Sequence, residues 1–247
     1  MKKSHTTGWA SDSPTPAQLK EFFSQLESGR ITKRKLQGFL RSGQAFASED
    51  LARKILGDDV IFPDEVAEVR GLSYTEDQLR HFAGTIPSEE VLRSLQANNF
   101  ALVAGPPSPM SILDVRQVES NLFYSKTGGW YEGQKFARDD KVPTEWLAIR
   151  KDPVPNSTSR NWSEQLGLIK AEERVPDAGE ISWFITTFFK VRGVRLFKSV
   201  YVRTSSVDSV GDRVYVGVFD SDGLYVYYYW DDYRCGDLGV ASARKFD

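Results

Sequence analysis

The chain has 247 residues, of which 40% are hydrophobic and 27% are charged, and its formal net charge is −2. A chain of this length accommodates one large domain or two small ones, and it buries enough surface to fold without disulfides. The near-neutral charge excludes a strong electrostatic attraction to nucleic acid or to an anionic membrane. Because Cys235 is the only cysteine, an internal disulfide is excluded, which is typical of a reducing compartment.

The first hundred residues carry helical signals and few strand signals. Residues 1–14 lack the apolar segment of a secretory signal, and we predict a disordered arm there. Beyond it, apolar residues at helical spacing follow capping or first-turn residues at six positions, namely Pro16, Thr32, Ser48, Pro63, Thr75 and Ser88. We therefore predict a helical domain over residues 15–99.

After residue 99 the pattern changes to strands mixed with helices. Short apolar strands are predicted at 100–104, 122–125 and 146–150, with a polar loop at 126–145. The strongest helix runs over 177–191 and stops before Gly193. Four strands follow it, at 195–205, 212–219, 224–231 and 238–245. We predict an α+β fold in which a helical N-terminal part precedes a C-terminal antiparallel sheet backed by helix 177–191, the second domain covering 100–247.

Residues 213–230, RVYVGVFDSDGLYVYYYW, form the clearest local pattern, since two alternating apolar segments flank a turn and predict a β-hairpin. Centring the turn on Ser221 and Asp222 fixes the pairing. It sets Val218 against Tyr225, Val216 against Tyr227 and Val214 against Tyr229, with Val200 and Val202 on the same side. We expect this Val/Tyr face to be core, so that Tyr227→Ala costs about 3 kcal/mol.

The opposite face of the same sheet carries the candidate ligand-binding residues Arg203, Arg213, Tyr215, Tyr228 and Trp230. A sheet face that mixes aromatic rings with arginines is typical of a platform on which bases or sugars stack. The alternative is that strands, helices or the N-terminal helices cover this face as a second core layer, as in layered α+β folds. The neutral net charge favours the covered alternative over nucleic-acid binding.

The predicted register also gathers carboxylates at one end of the sheet. Asp212 falls opposite Asp231, while Asp208 lies in the adjoining turn and Asp232 lies just beyond. Such a group is a candidate site for Ca²⁺ or Mg²⁺. The alternative is that these aspartates serve their turns, where aspartate is preferred for its local hydrogen bonds. We expect no other cofactor.

Several C-terminal segments resemble a family of hypothetical proteins from uncultivated, small-genome bacteria. The resemblance lies in VYVRTSSVDS, RVYVGVFD, YYYWDD and LGVASARKF, and extends to GPPSPMSILDVR and WLAIRKDPVPNSTSRNW. It covers roughly residues 100–247. The resemblance implies a bacterial origin, and it assigns no activity and no site residue.

These observations favour a non-catalytic binding or interaction protein in the cytoplasm, with a protein as the expected partner and no membrane association. One alternative is a nucleic-acid-binding protein that uses the aromatic and arginine face. Another is a metal-dependent enzyme that uses the aspartate cluster. The two histidines, with no accompanying nucleophile motif, give little support to hydrolytic catalysis.

Overall fold

A computed structural model of the chain describes residues 14–33, 36 and 43–246. Residues 1–13 of the predicted arm, and most of the helix predicted after Thr32, lie outside the described residues. The chain divides into two compact units, Met1–Ala47 and Ser48–Asp247. In the first unit, helix α1 (Pro16–Glu27) begins as predicted, because Thr15 and Gln18 form a reciprocal capping box and Pro16 occupies the first turn.

Short helices fill the beginning of the second unit. Thr75 and Ser88 cap their helices as predicted, each accepting a hydrogen bond from a backbone N–H of the first turn. None of the described helices has the length and apolarity that a membrane span requires. After α1 they are α2 (Gly43–Leu56), α3 (Pro63–Arg70), α4 (Glu76–Gly84), α5 (Glu89–Ala97), α6 (Ile112–Val118), α7 (Phe136–Asp139), α8 (Trp162–Leu166) and α9 (Ala178–Arg192).

The first sheet joins the helical region to the rest of the unit. Its strand order is β1 (Val60–Ile61), β2 (Phe100–Ala104), β3 (Trp146–Arg150), β9 (Ala243–Arg244) and β4 (Glu173–Arg174). Strand β2 is buried along its whole length between β1, which runs parallel to it, and β3, which runs antiparallel. The domain boundary predicted at residue 99 therefore falls inside one unit, because residues on both sides of it share a hydrophobic core.

The second sheet contains the predicted hairpin. Its strand order is β7 (Gly223–Tyr229), β6 (Arg213–Asp220), β5 (Tyr201–Val207) and β8 (Leu238–Val240). The pairs β7–β6 and β6–β5 are antiparallel, whereas β8 runs parallel to β5. The α+β class is confirmed. The strand predicted at 238–245 is divided between the two sheets, and residues 122–125 contribute only an isolated bridge between Phe123 and Leu224.

Helix α9 lies at the centre of the unit. Asp177 caps its first turn and Gly193 ends it in the left-handed conformation, as the sequence indicates. Every residue from Ala178 to Phe188 is buried, which is expected of a helix that is apolar on more than one side. The helix contacts β2 and β3 of the first sheet and β5 and β6 of the second. The prediction that this helix backs the C-terminal sheet is confirmed.

The hairpin register is correct at the turn and wrong beyond it. Asp220 pairs with Gly223 across Ser221 and Asp222, as predicted. Between Gly217 and Asp220, however, β6 carries one extra residue in a bulge, where Gly217 has φ +153° and Val218 has φ +45°. A bulge displaces the register by one residue and so exchanges the two faces of β7. The observed pairs are Val216 with Val226, Val214 with Tyr228, and Tyr215 with Tyr227.

Candidate binding site on the second sheet

The core-facing side of the second sheet is built from valines rather than from alternating valines and tyrosines. Val202, Val214 and Val216 are fully buried, and Val226 is 6% exposed. Tyr228 lies on this same side at the outer strand, where its ring packs against Trp130 with centroids 4.3 Å apart. Because of the bulge, Tyr228 does not belong to the face on which the sequence placed it. Tyr225, Tyr227 and Tyr229 lie on the opposite side and are not core residues.

One part of that opposite side is covered. Arg203 is fully buried, and its guanidinium donates hydrogen bonds to the carbonyl of Arg160 at 3.1 Å, to Gln165 Oε1 at 3.0 Å and to the carbonyl of Tyr233 at 2.6 Å. Burial lowers the pKa of Arg203 below its usual value. These hydrogen bonds hold the segment that contains α8 against the sheet. The Arg203 guanidinium is therefore not available to a ligand.

Arg213 is also engaged within the protein. Its guanidinium lies 4.1 Å from the centroid of the Trp162 ring and 3.3 Å from the carboxylate of Asp231. Trp230, by contrast, is 54% exposed and packs against Tyr229 and Tyr233 just beyond the end of β7. Of the predicted ligand-binding residues, only Tyr215 thus belongs to the accessible aromatic surface on this side of the sheet, because Trp230 lies outside the paired strands.

The open part of this side is a connected group of tyrosines, which we call the tyrosine face and define as Tyr124, Tyr201, Tyr215, Tyr225 and Tyr227. The rings of Tyr124 and Tyr225 stack with centroids 4.2 Å apart. The rings of Tyr225 and Tyr227 are nearly parallel at 6.3 Å, and Tyr215 and Tyr227 repeat this spacing. Tyr201 meets Tyr215 edge to face at 5.0 Å. These contacts hold the rings in a fixed array before any ligand arrives.

The tyrosine face is accessible although the edges of its sheet are covered. Tyr124 is 54% exposed and Tyr227 is 43% exposed. On β7, the carbonyl of Leu224 accepts a hydrogen bond from the Tyr124 N–H at 3.1 Å, and the carbonyl of Val226 accepts one from Trp130 Nε1 at 2.7 Å. On β8, the Val154 N–H donates to the carbonyl of Val240 at 3.0 Å. A partner therefore meets the rings rather than a free strand edge.

The arginines on this side of the sheet already have partners: Arg203, opposite Tyr215, is buried and hydrogen-bonded, and Arg213 pairs with Asp231. Three carboxylates border the tyrosine face, and we call them the carboxylate rim: Asp220 and Asp222 in the β6–β7 turn, and Asp237 before β8. Burial, neighbouring tyrosines and two of these carboxylates raise the pKa of Tyr201 to about 12. Burial, together with neighbouring tyrosines and aspartates, also raises the pKa values of Tyr215 and Tyr225. The hydroxyls of Tyr201, Tyr215 and Tyr225 consequently stay neutral at physiological pH and can both donate and accept hydrogen bonds.

The aspartates proposed for a metal are separated by their local roles. Asp208 Oδ1 accepts hydrogen bonds from the backbone N–H groups of Val210 and Asp212, both at 2.9 Å, within the β5–β6 turn. Asp231 pairs with Arg213, and Asp232 lies 3.5 Å from Asn161 Nδ2. Within the described residues, no group of three His, Cys, Asp or Glu side chains is placed to hold a metal ion. The turn function of Asp208 matches the alternative stated from the sequence.

A concave region lies elsewhere on the molecule, beside β3 and the C-terminal residues. It encloses about 450 Å³ and is lined by residues that include Glu145, Trp146, Arg174, Arg244 and Lys245. Its charged groups already have partners: Arg174 pairs with Glu180, Arg244 with Glu172, and Glu145 with His81. This arrangement presents fewer free recognition groups than the tyrosine face does.

Sequence reasoning missed most of the tyrosine face. The signal that could have found it is Gly217, because an isolated glycine inside a strand pattern indicates a bulge or a close backbone approach. Tyr124 had no signal of its own, since it reaches the face through the bridge between Phe123 and Leu224. Comparison of the chain with protein-family models, with curated proteins and with solved structures found no match.

Proposed function

We propose that this chain is a non-catalytic binding protein that recognises a partner protein through the tyrosine face. The observation that carries this proposal is the connected array of five tyrosines on one side of the second sheet, in which Tyr124 and Tyr227 are exposed and the others are half-buried. Tyrosine and tryptophan are enriched at protein interfaces, where a few large rings supply most of the binding free energy.

The fixed arrangement of the rings supports recognition. Binding loses free energy when flexible side chains become ordered, and rings already held by their neighbours lose less. Tyr225 is held between Tyr124 and Tyr227, and Tyr215 contacts both Tyr201 and Tyr227. The sheet beneath them is anchored by buried valines, so the array behaves as a rigid surface.

The titration behaviour of the tyrosines favours binding over acid–base catalysis. A general acid or base works best when its pKa lies near the working pH. The pKa of Tyr201 is raised to about 12, and those of Tyr215 and Tyr225 are also raised. Binding to nucleic acid is the less favoured alternative, because Arg203 and Arg213 are paired within the protein and the exposed charges of the rim, Asp222 and Asp237, repel phosphates. A cytoplasmic location, suggested by the single Cys235, is part of the proposal.

A display library of random peptides tests this function without assuming the chemistry of the partner. The wild-type protein, a Tyr225→Ser/Tyr227→Ser variant and a Tyr228→Ser control are each used to select binders. Tyr228 is a matched control because it lies on the same strand but on the opposite side of the sheet. We expect peptides selected by the wild-type protein to bind the control and to lose binding to the double variant. A saturated library that yields no binder, or binders retained by the double variant, contradicts the proposal.

A further inference from the structure

We propose that the occupant of the tyrosine face is an extended, arginine-rich segment of the partner protein, whose guanidinium groups stack on the rings and pair with the carboxylate rim. This inference rests on the proposed function and adds the chemistry of the partner. It follows from three features of the described residues: the charge around the rings, the way the protein itself pairs arginine with aromatic rings, and the spacing of the rings.

The charge around the tyrosine face selects a cation. Asp222 and Asp237 are exposed and Asp220 is half-buried. The Tyr201 N–H donates a hydrogen bond to the Asp237 carbonyl at 2.7 Å, and Asp220 and Asp222 lie in the turn that leads directly to Tyr225. The face of an aromatic ring carries negative potential and attracts a cation placed over it. Rings and carboxylates therefore act in the same direction, favouring a positively charged segment and opposing phosphates or an acidic peptide.

The protein repeatedly uses arginine in this chemical setting. The guanidinium of Arg213 lies over Trp162 and pairs with Asp231. The same combination of arginine, ring and carboxylate recurs at Arg53 with Phe62 and Glu65, and at Arg116 with Tyr131 and Glu132. At the tyrosine face the ring and the carboxylate are both presented to solvent. Arginine suits such a site better than lysine, because its planar group stacks on a ring while its fork of N–H groups bonds a carboxylate.

The spacing of the rings matches an extended chain. The centroids of Tyr225 and Tyr227, which are two residues apart on β7, lie 6.3 Å from each other. In an extended chain the rise is roughly 3.3 Å per residue, so side chains at alternate positions on one side repeat at roughly 6.6 Å. Arginines at alternate positions can therefore lie over successive rings. Since the edge carbonyls of β7 at Leu224 and Val226 already accept hydrogen bonds, the segment lies across the face instead of adding a strand.

The test measures the affinity of fluorescein-labelled probes by fluorescence anisotropy. The probes are a peptide of alternating arginine and glycine, its lysine and glutamate counterparts, and a single-stranded oligothymidylate. We expect the arginine peptide to bind about five-fold more tightly than the lysine peptide, because stacking adds to charge. We expect little binding of the glutamate peptide or the oligothymidylate, and weaker binding of the arginine peptide at high salt.

Variants locate the binding. Tyr227→Ser is expected to lower the affinity for the arginine peptide about ten-fold, which corresponds to about 1.4 kcal/mol of binding free energy. Asp222→Asn is expected to lower this affinity about three-fold. Tyr228→Ser and the exposed helix variant Glu90→Gln are expected to leave affinity unchanged, and urea unfolding midpoints verify that every variant is folded. Equal affinity for arginine and lysine peptides, tighter binding of oligothymidylate, or no effect of Tyr227→Ser overturns the inference. If the display library still selects non-basic peptides that require Tyr225 and Tyr227, the proposed function survives and only the arginine-rich partner is rejected.

Discussion

The bulge at Gly217 makes a sharp prediction about stability, because it decides which residues of the hairpin are core. Val216 is fully buried, whereas Tyr227 is 43% exposed on the other side of the sheet. Val216→Ala removes both methyl groups; at about 0.8 kcal/mol for each buried carbon plus a cavity contribution, it is expected to lower the free energy of unfolding by about 2 kcal/mol. Tyr227→Ala removes a ring that is partly exposed and therefore makes fewer buried contacts. It is expected to lower the free energy of unfolding by about 1 kcal/mol or less.

Equilibrium unfolding in urea measures both values, and an unchanged dependence on urea concentration verifies that the variants differ in stability alone. The register read directly from the sequence makes the opposite prediction, since it places Tyr227 in the core with a cost of about 3 kcal/mol. A larger loss for Tyr227→Ala than for Val216→Ala would refute the assignment of the two faces and, with it, the accessible tyrosine face.

Three further stability predictions follow from buried groups. Gly217→Ala places a Cβ 2.2 Å from the Val200 carbonyl oxygen and is expected to cost at least about 2 kcal/mol in urea unfolding; a neutral effect contradicts the bulge. Arg203→Met leaves the carbonyls of Arg160 and Tyr233 without their donor and is expected to cost about 2–4 kcal/mol, whereas a stability equal to wild type contradicts the anchoring role. Burial and then Glu180 raise the pKa of Asp177 to about 7, so the folded protein binds more protons than the unfolded chain between the usual aspartate pKa and about pH 7. The stabilisation from protonated Asp177 is therefore complete at low pH and lost as pH rises through about 7. Asparagine at this position keeps the helix cap but carries no charge. The Asp177→Asn variant is therefore expected to be more stable than the wild-type protein by at least about 1 kcal/mol at pH 8, and not at pH 4. A variant and wild type of equal stability at both pH values would contradict this.

The sequence predicts the helix ends where the residue's side chain or backbone supplies a cap, but the start predicted at Ser48 is wrong, because Ser48 lies inside α2 (Gly43–Leu56). Thr75 and Ser88 begin their helices because their side chains satisfy first-turn N–H groups, and Gly193 ends α9 because it adopts positive φ without strain. Strands β1 and β4 were not predicted, since each has two residues and exists only through its pairing with a distant strand. Short segments of this kind carry no periodicity of their own.

The candidate site was only partly predictable, and the reason is local. Alternation in a hairpin assigns every side chain to one of two faces, so a single extra residue reverses the assignment for all residues beyond it. The turn was placed correctly, but Val218 has a positive φ, which is rare for a β-branched residue and which propensity does not suggest. The burial of Arg203 depends on the loop segment around Arg160 and Gln165, whose approach to the sheet is a tertiary contact with no sequence signal.

Nuclear magnetic resonance of the tyrosine rings tests the central claim most directly. The chain has ten tyrosines, and their ring resonances can be followed while the alternating arginine–glycine peptide is added. Binding at the tyrosine face predicts shifts at Tyr124, Tyr201, Tyr215, Tyr225 and Tyr227, with Tyr228 on the other side of the sheet and the buried Tyr131 unchanged. Shifts centred on Tyr228, or unchanged rings at Tyr225 and Tyr227 when the peptide is saturating, would contradict it.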